Sequence, residues 1–374
     1  MRRLPLLALA AAAAALLPAT ADARTTQRDV QRAVARAVAL GYPGVAVATH
    51  RAGRDRLLTR GVADRRTKRR WNLNNSMRIA SVSKALNGAV VLSLVRDGRL
   101  RLDDTVGRLL PGMLPQADAV TVAQLLQHTG GVPAYTSQPA FNQALSADPL
   151  RAWTPAELIA AVDGVPLTFT PGTRYEYSNT DNILLGQIAA AVGGRGYGEE
   201  LQARVAAPLG LKHTFLAENV RLPRGYVHGY LPDGKGYEDV SEALNPTMAS
   251  ASGGVVSTPR ELGRFMRGLA SGQLYGRGLV QTARAAVRPG DGDPPGPGVN
   301  GVALGVFRYR LPCGVTMWGH SGTFPGYRQW AAASPSGDVS VVVSANAPAG
   351  AISEQADAAL RRAQGLAACR AMGR

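Results

Sequence analysis

Residues 80–96, ASVSKALNGAVVLSLVR, favour a helix that ends before Gly98 and is apolar on almost every side. A helix with one apolar stripe can lie on a surface, whereas one apolar all round has to be enclosed. The rest of the chain must therefore supply layers that surround this segment, and whatever starts it is held rigidly in the interior. What starts it is Ser81-Val82-Ser83-Lys84, two hydroxyls and an amine in a buried setting.

The flanking patterns supply those layers. Residues 26–40 repeat Val and Ala at helical spacing after a Thr and stop at Gly41 and Pro43, which predicts a helix. Two short strands follow at 44–50 and 56–62, joined by a Gly-containing turn. From about 99 to 245, helical segments at 121–128, 155–163, 181–192 and 198–207 alternate with Pro- and Gly-rich loops, and strand patterns are sparse. A helix starts at a good capping position after Ser257-Thr258-Pro259 and runs to Leu269, and a Gly- and Pro-rich loop covers 286–301. Beyond it, segments 302–310, 314–320, 327–333 and 338–346 are rich in Val, Thr and aromatic residues, which predicts an antiparallel meander, and a last helix at 352–368 covers one face. The expected fold class is an α/β arrangement, an antiparallel sheet flanked by helices and built from residues 24–75 and 250–374, with an all-helical domain at 76–249 inserted between its halves.

The first 23 residues join two arginines to an apolar Leu/Ala run and place small residues at Ala19, Ala21 and Ala23, the layout of a secretory signal peptide. The run from Leu4 to Leu17 is too short to cross ~30 Å of hydrocarbon, so a stable membrane anchor is not expected. Secretion, to the medium or the cell wall, is. Cleavage removes two arginines and one aspartate, which takes the formal charge from +16 to +15. A charge of that size suits an anionic surrounding such as a cell wall. Nucleic acid is the rival partner, but export argues against it, and the single dense basic run, 65–70, reads as a solvated turn. Only Cys313 and Cys369 occur, and an oxidising exterior lets them pair, stapling the C-terminal helix to a strand. The five histidines, at 50, 128, 213, 228 and 320, show no HExxH spacing, and neither a metal nor another cofactor is expected.

A serine hydroxyl is a poor nucleophile at neutral pH and needs a proton acceptor beside it and donors where negative charge develops. Residues three apart on a helix face the same way, so Lys84 can reach the Ser81 oxygen. The helix N-terminus favours an alkoxide and disfavours an ammonium, and burial acts in the same direction. Of the basic residues 38 are Arg and four are Lys, so a Lys on this apolar helix is a choice; arginine could supply charge there but could not act as a base. The bland alternative makes Ser81 an N-cap and Lys84 a solvated first-turn residue. Two further groups decide between them. Tyr177-Ser178-Asn179 follows the turn Pro171-Gly172-Thr173 and precedes a helix, and His320-Ser321-Gly322-Thr323 stands at the end of a strand. Singly, these read as a packed aromatic, a cap and a strand histidine. Jointly, they offer a phenol to relay protons, a carboxamide to orient a substrate amide and a strand-end N–H for an oxyanion. Gly319-His320-Ser321-Gly322-Thr323 misses the GxSxG pattern at its final residue, which argues against the α/β-hydrolase alternative. His128 in LLQHTGG reads as structural.

SVSK, YSN and HSG in this order resemble the serine penicillin-recognising family, which embraces D-alanyl-D-alanine carboxypeptidases, class C β-lactamases and related esterases. The likeness extends to RIASVSKALNGAVVLSLVRDGRLRLDDTV, LLQHTGGVPAY, PGTRYEYSNTDNILLG, SGGVVSTPREL and LPCGVTMWGHSGTFPGYRQW. It is nearest to the secreted carboxypeptidases of the Streptomyces type, which also carry His in the third motif and a Cys shortly before it. The resemblance implies a β-lactamase/transpeptidase-like fold. It implies Ser81 as nucleophile, Lys84 and Tyr177 as acid–base pair, Asn179 on the substrate amide, His320 tuning Tyr177, and Ser321, Gly322 and Thr323 lining the substrate, with the N–H groups of Ser81 and Thr323 as oxyanion hole. The implied substrate is a small peptide or β-lactam, most directly a D-Ala-D-Ala peptide; an esterase, D-amino-acid amidase or β-lactamase is the alternative, and a penicillin-binding or sensing protein without turnover is another. One position departs from the pattern. Where the type enzyme carries an arginine for the substrate's terminal carboxylate, this chain has Phe307, flanked by Arg308 and Arg310. Neighbouring strand residues point to opposite faces, so Arg308 is no substitute without a register shift, and Arg310 is left as the nearby arginine.

Overall fold

Eight strands pair into one antiparallel sheet: β1 Gly44–Arg51, β2 Arg54–Gly61, β3 Arg288–Pro289, β4 Val299–Val302, β5 Phe307–Arg310, β6 Thr316–Phe324, β7 Tyr327–Ala333 and β8 Ser340–Ala345. Their order across the sheet is β2-β1-β8-β7-β6-β5-β4-β3. The computed structural model describes residues 25–289, 297 and 299–374, so the expected signal peptide and part of the loop at 286–301 lie outside the described residues. The chain closes the sheet by laying β1 against β8, with Val45 opposite Ala345 and Thr49 opposite Val341. Everything between residues 62 and 287 is thereby looped out of one sheet, and the central strands β7 and β8 are buried along their whole length.

Such strands need cover on both faces. On one face lie α1, Gln27–Ala39, and α5, Glu354–Ala371, over Val45, Val47, Trp330, Ala332, Val341 and Val343. Thr26 starts α1 with a capping box, its hydroxyl accepting from the Asp29 N–H while Asp29 accepts from the Thr26 N–H. The other face carries α2, Ser83–Arg96, α3, Asn179–Gly193, and α4, Pro259–Ser271. There Ala46, Ala331 and Val342 of the sheet share a core with Leu86 and Val90 of α2, Leu184 and Ile188 of α3, and Phe265 of α4. All of residues 83–94 are buried, as a helix apolar on every side requires.

Two links bind α5 to the sheet. The Arg328 guanidinium on β7 sits 2.7 Å from the Asp357 carboxylate and 3.0 Å from the Tyr42 hydroxyl, all of it buried. Cys313, in the turn between β5 and β6, is disulfide-bonded to Cys369 on α5.

Several segments differ from expectation. The stretch 302–310 is not one strand: β4 and β5 are a hairpin whose turn holds Gly305 at φ +72°, its Cα packed against Gly88 of α2. The region expected to be helical also contains two small sheets, Met77–Arg78 with Val255–Ser257 and Phe215–Leu216, and Tyr230–Pro232 with Tyr237–Asp239. These strands are two or three residues long, too short to show an alternation. Strand β6 continues through His320, Ser321, Gly322 and Thr323 to Phe324, paired with β7 all the way, so these residues lie within the ladder and the reversal falls at Pro325-Gly326. Among the described residues no helix is long and apolar enough to cross a membrane.

Candidate active site

The buried helix does not begin as an α-helix. Ala80–Val82 form a 3-10 turn and α2 proper starts at Ser83. Ala80 has φ +52°, in the left-handed region that costs a residue with a Cβ roughly 1–3 kcal/mol and that persists only where the surroundings enforce it. The enforcement is visible. The Ser83 hydroxyl donates to the Ala80 carbonyl at 2.6 Å and accepts from the Val255 N–H at 3.2 Å, and the Ile79 N–H donates to the Val255 carbonyl. Against the other side of the turn lies Gly322 of β6. A Cβ there would fall 2.7 Å from the Ile79 carbonyl oxygen and 2.8 Å from the Ser81 nitrogen, so glycine is what lets the strand pass beside the Ser81 amide.

Lys84 is 1% exposed and its Nζ gathers three acceptors: Ser81 Oγ at 3.2 Å, Asn179 Oδ1 at 2.7 Å and the Ser252 carbonyl at 2.7 Å. Asn179, the first residue of α3, passes the network on by donating from Nδ2 to Thr136 Oγ1 at 3.0 Å. The Asn87 side chain donates to the Asn182 carbonyl at 2.9 Å, which locks α2 to α3 one turn further along.

Tyr177 and His320 close the opposite side. Lys84 Nζ lies 4.9 Å from the Tyr177 ring centroid, and the His320 ring lies 6.4 Å from it. His320 Nδ1 is in hydrogen-bond contact with the Ser321 carbonyl; a carbonyl only accepts, so Nδ1 carries the hydrogen and Nε2 keeps the lone pair. Burial, and secondarily the Lys84 charge, push the His320 pKa down to about 3, so the ring is neutral at physiological pH. Phe307 is buried with its ring edge-on to His320, 5.0 Å between centroids. The Arg310 side chain is exposed, and the Arg308 guanidinium lies over Gly301.

The expected residues thus fall into two sets. Ser81, Lys84, Tyr177, Asn179, His320 and Gly322 meet at one place. Ser321 lies opposite Trp330, whose ring is in the core beneath α1 and α5, and Thr323 lies opposite Arg328. The pleat turns both hydroxyls away from Ser81, so only their main chain runs past it. The motifs left two of the contacting groups unassigned, Thr136 on Asn179 and Ser252 on Lys84. The Ser252 contribution is a carbonyl, which no side-chain pattern can announce. The profile for the protein family described as Beta-lactamase matches residues 30–366. The chain belongs to the beta-lactamase family.

Within that fold, the beta-lactamase-family chain superimposes on a D-stereospecific amidohydrolase from Streptomyces sp. with a TM-score of 0.78 at 30% identity, covering 89% of this chain and 98% of the other. On a D-amino acid amidase from Ochrobactrum anthropi SV3 the TM-score is 0.80 at 26% identity, covering 91% and 97%. A putative D-alanyl-D-alanine carboxypeptidase from Escherichia coli (strain K12) is 30% identical over 128 residues, 32% of this chain and 29% of that protein. The chain spans 51% and 60% of the length of two other curated relatives it matches.

Proposed function

We propose that this protein is a serine hydrolase that cleaves amides and esters of D-configured acyl groups through an acyl-Ser81 ester. The observation that carries the chemistry is the Lys84 amine between the Ser81 hydroxyl and the Asn179 carboxamide, 3.2 and 2.7 Å away. In its neutral form that amine takes the Ser81 proton as Oγ attacks the substrate carbonyl, and the oxyanion forms against main-chain N–H groups of Ser81 and β6. Tyr177 then protonates the leaving nitrogen or oxygen as its bond to the acyl carbon breaks, Asn179 orients the substrate amide, and neutral His320 lies beside Tyr177. Water then gives a proton to the Tyr177 phenolate as it attacks the acyl carbon, and the Lys84 ammonium returns a proton to Ser81 Oγ as the ester bond breaks, which releases the acid.

The substrate class is read from Phe307. A group that leaves as a free carboxylate-bearing amino acid calls for a cation at its end, and the position that the resemblance assigns to it holds Phe307, buried against His320 and Tyr175, so β5 supplies no cation there. A neutral leaving group suits that ring better, in line with the amidase and amidohydrolase names of the two structural neighbours. Carboxypeptidase action on D-Ala-D-Ala peptides is the second reading, favoured by the Escherichia coli relative and by the HSG motif. The signal-peptide layout of residues 1–23 supports export, and the +15 formal charge left after their removal suits an anionic cell-wall surrounding.

The test is turnover of D-phenylalanine amide, a diacylated lysyl-D-Ala-D-Ala peptide and a penicillin by the purified mature protein, beside Ser81→Ala and Lys84→Arg. Ammonia from the amide, lost in both variants, is expected; arginine keeps the charge but cannot take a proton. D-alanine release would establish the second reading, and penicillin acylation without turnover of anything would make the protein a binder. Hydrolysis by Ser81→Ala would refute all of these.

A further inference from the structure

Behind Tyr177 lies a buried pair that the proposed reaction leaves without a role. His128 Nδ1 is 2.7 Å from Asp181 Oδ2, and both residues are almost wholly enclosed. His128 is also tied to the catalytic segment at three points. Its carbonyl accepts the Glu176 N–H at 2.9 Å, its Nδ1 accepts the Ser178 N–H at 3.3 Å, and its ring packs on Tyr177 with centroids 4.6 Å apart. The backbone at His128 has φ +56°, so a left-handed residue is held here to make these contacts.

The contacts fix where the proton is. A ring nitrogen that accepts an N–H cannot itself carry hydrogen, so Nδ1 is the lone-pair nitrogen of a neutral imidazole. Nδ1 has one in-plane lone pair, so the shorter 2.7 Å contact with Asp181 takes it with the hydrogen on the carboxyl oxygen, and the Ser178 N–H at 3.3 Å shares it, whereas a hydrogen on Nδ1 would oppose that N–H. We propose that His128 and Asp181 are positioning residues, a charge-neutral pair of carboxylic acid and imidazole that seats the Tyr177–Asn179 segment against Lys84 without adding a negative charge beside it. The groups facing the pair are Lys84 from α2, His320 from β6, and Tyr175, Glu176 and Tyr177 from the segment itself; the Lys84 charge opposes protonation of Asp181, while burial and Glu176 favour it. Burial, followed by the Lys84 charge, pushes His128 well below the usual imidazole range, and burial pushes the Asp181 carboxyl well above the usual carboxylate range. An ionised Asp181 would stabilise the ammonium form of Lys84, which the proposed mechanism needs to lose. The inference rests on the acyl-Ser81 reading.

The experiment measures kcat and KM against pH, with Tm, for wild type, Asp181→Asn, His128→Phe and His128→Asn. An amide at 181 donates an N–H to Nδ1 and is neutral, so Asp181→Asn is expected to keep the pH profile of kcat/KM in place. His128→Phe retains the packing on Tyr177 but strands the Ser178 N–H, and a fall in kcat of about 10²-fold is expected from the displaced acid–base group. His128→Asn tolerates positive φ and puts an amide oxygen near the Nδ1 position, so it is expected to recover most of the loss. An infrared carbonyl band of a protonated carboxyl group, present in wild type and missing in Asp181→Asn, reads the proton directly. A profile shifted to lower pH in Asp181→Asn, no such band, or His128→Asn as poor as His128→Phe would each overturn the proposal. Because the band does not depend on turnover, it distinguishes this failure from failure of the acyl-Ser81 reading, which Ser81→Ala tests.

Discussion

At the scale of single residues, the site depends on one missing Cβ as much as on any functional group. Gly322 lets β6 approach the turn at Ser81, and the atoms in the way of a side chain there are main-chain atoms of Ile79 and Ser81, which cannot swing aside. Gly322→Ala is therefore expected to push the strand off the Ser81 amide, lowering kcat/KM by about 10²-fold through a displaced oxyanion donor. The overpacking adds roughly 1–3 kcal/mol of destabilisation. Steady-state kinetics with a thermal melt separates the two; a variant with unchanged kcat/KM would show that β6 takes no part in stabilising the oxyanion. Ala80 points the same way: its positive φ is a strain imposed on the residue before Ser81 by the Ser83 and Val255 contacts.

At the scale of elements, α5 is fastened to the sheet by the Arg328–Asp357 ion pair and by the Cys313–Cys369 bond, which closes a loop across 56 residues. In the chain-entropy account a loop of that length contributes about 4 kcal/mol. Replacing both cysteines with Ser is expected to lower stability to denaturant by that order and to leave kcat at 25 °C unchanged, since the bond joins α5 to the β5–β6 turn and touches none of the site residues. Equal denaturation midpoints for the two proteins would refute it. The same elements show why a β-rich segment can be misread. Residues 302–310 carry one turn residue, Gly305, whose φ of +72° and packing on Gly88 accompany the Ala303–Val306 turn that divides β4 from β5.

For the molecule as a whole, enclosing the site makes it sensitive to acid. His320 titrates near 3 when folded and near 6.5 when unfolded, so between those values the unfolded chain binds a proton that the folded one does not. Stability is therefore expected to be indifferent to this group above pH 6.5 and to fall as pH drops towards 3, by a total on the order of 5 kcal/mol. Chemical denaturation at a series of pH values measures the slope, and His320→Gln should flatten it; an equal slope in both would rule His320 out. Much of this architecture was legible in the residues. The all-round apolar helix demanded enclosure, the strand patterns at the two ends pointed to one antiparallel sheet flanked by helices, and SVSK, YSN and HSG named groups that the fold brings to Lys84. Those are properties of composition, period and short spacing, which a chain carries locally. What the sequence could not determine alone was which distant groups touch: the Ser252 carbonyl on Lys84, the Asp181 carboxyl on His128, the side of the sheet to which the Ser321 hydroxyl turns, and the closeness of Gly322 to Ser81. Each depends on pairing register and on burial between segments far apart in the chain, and those exist only once the sheet has closed around the helix.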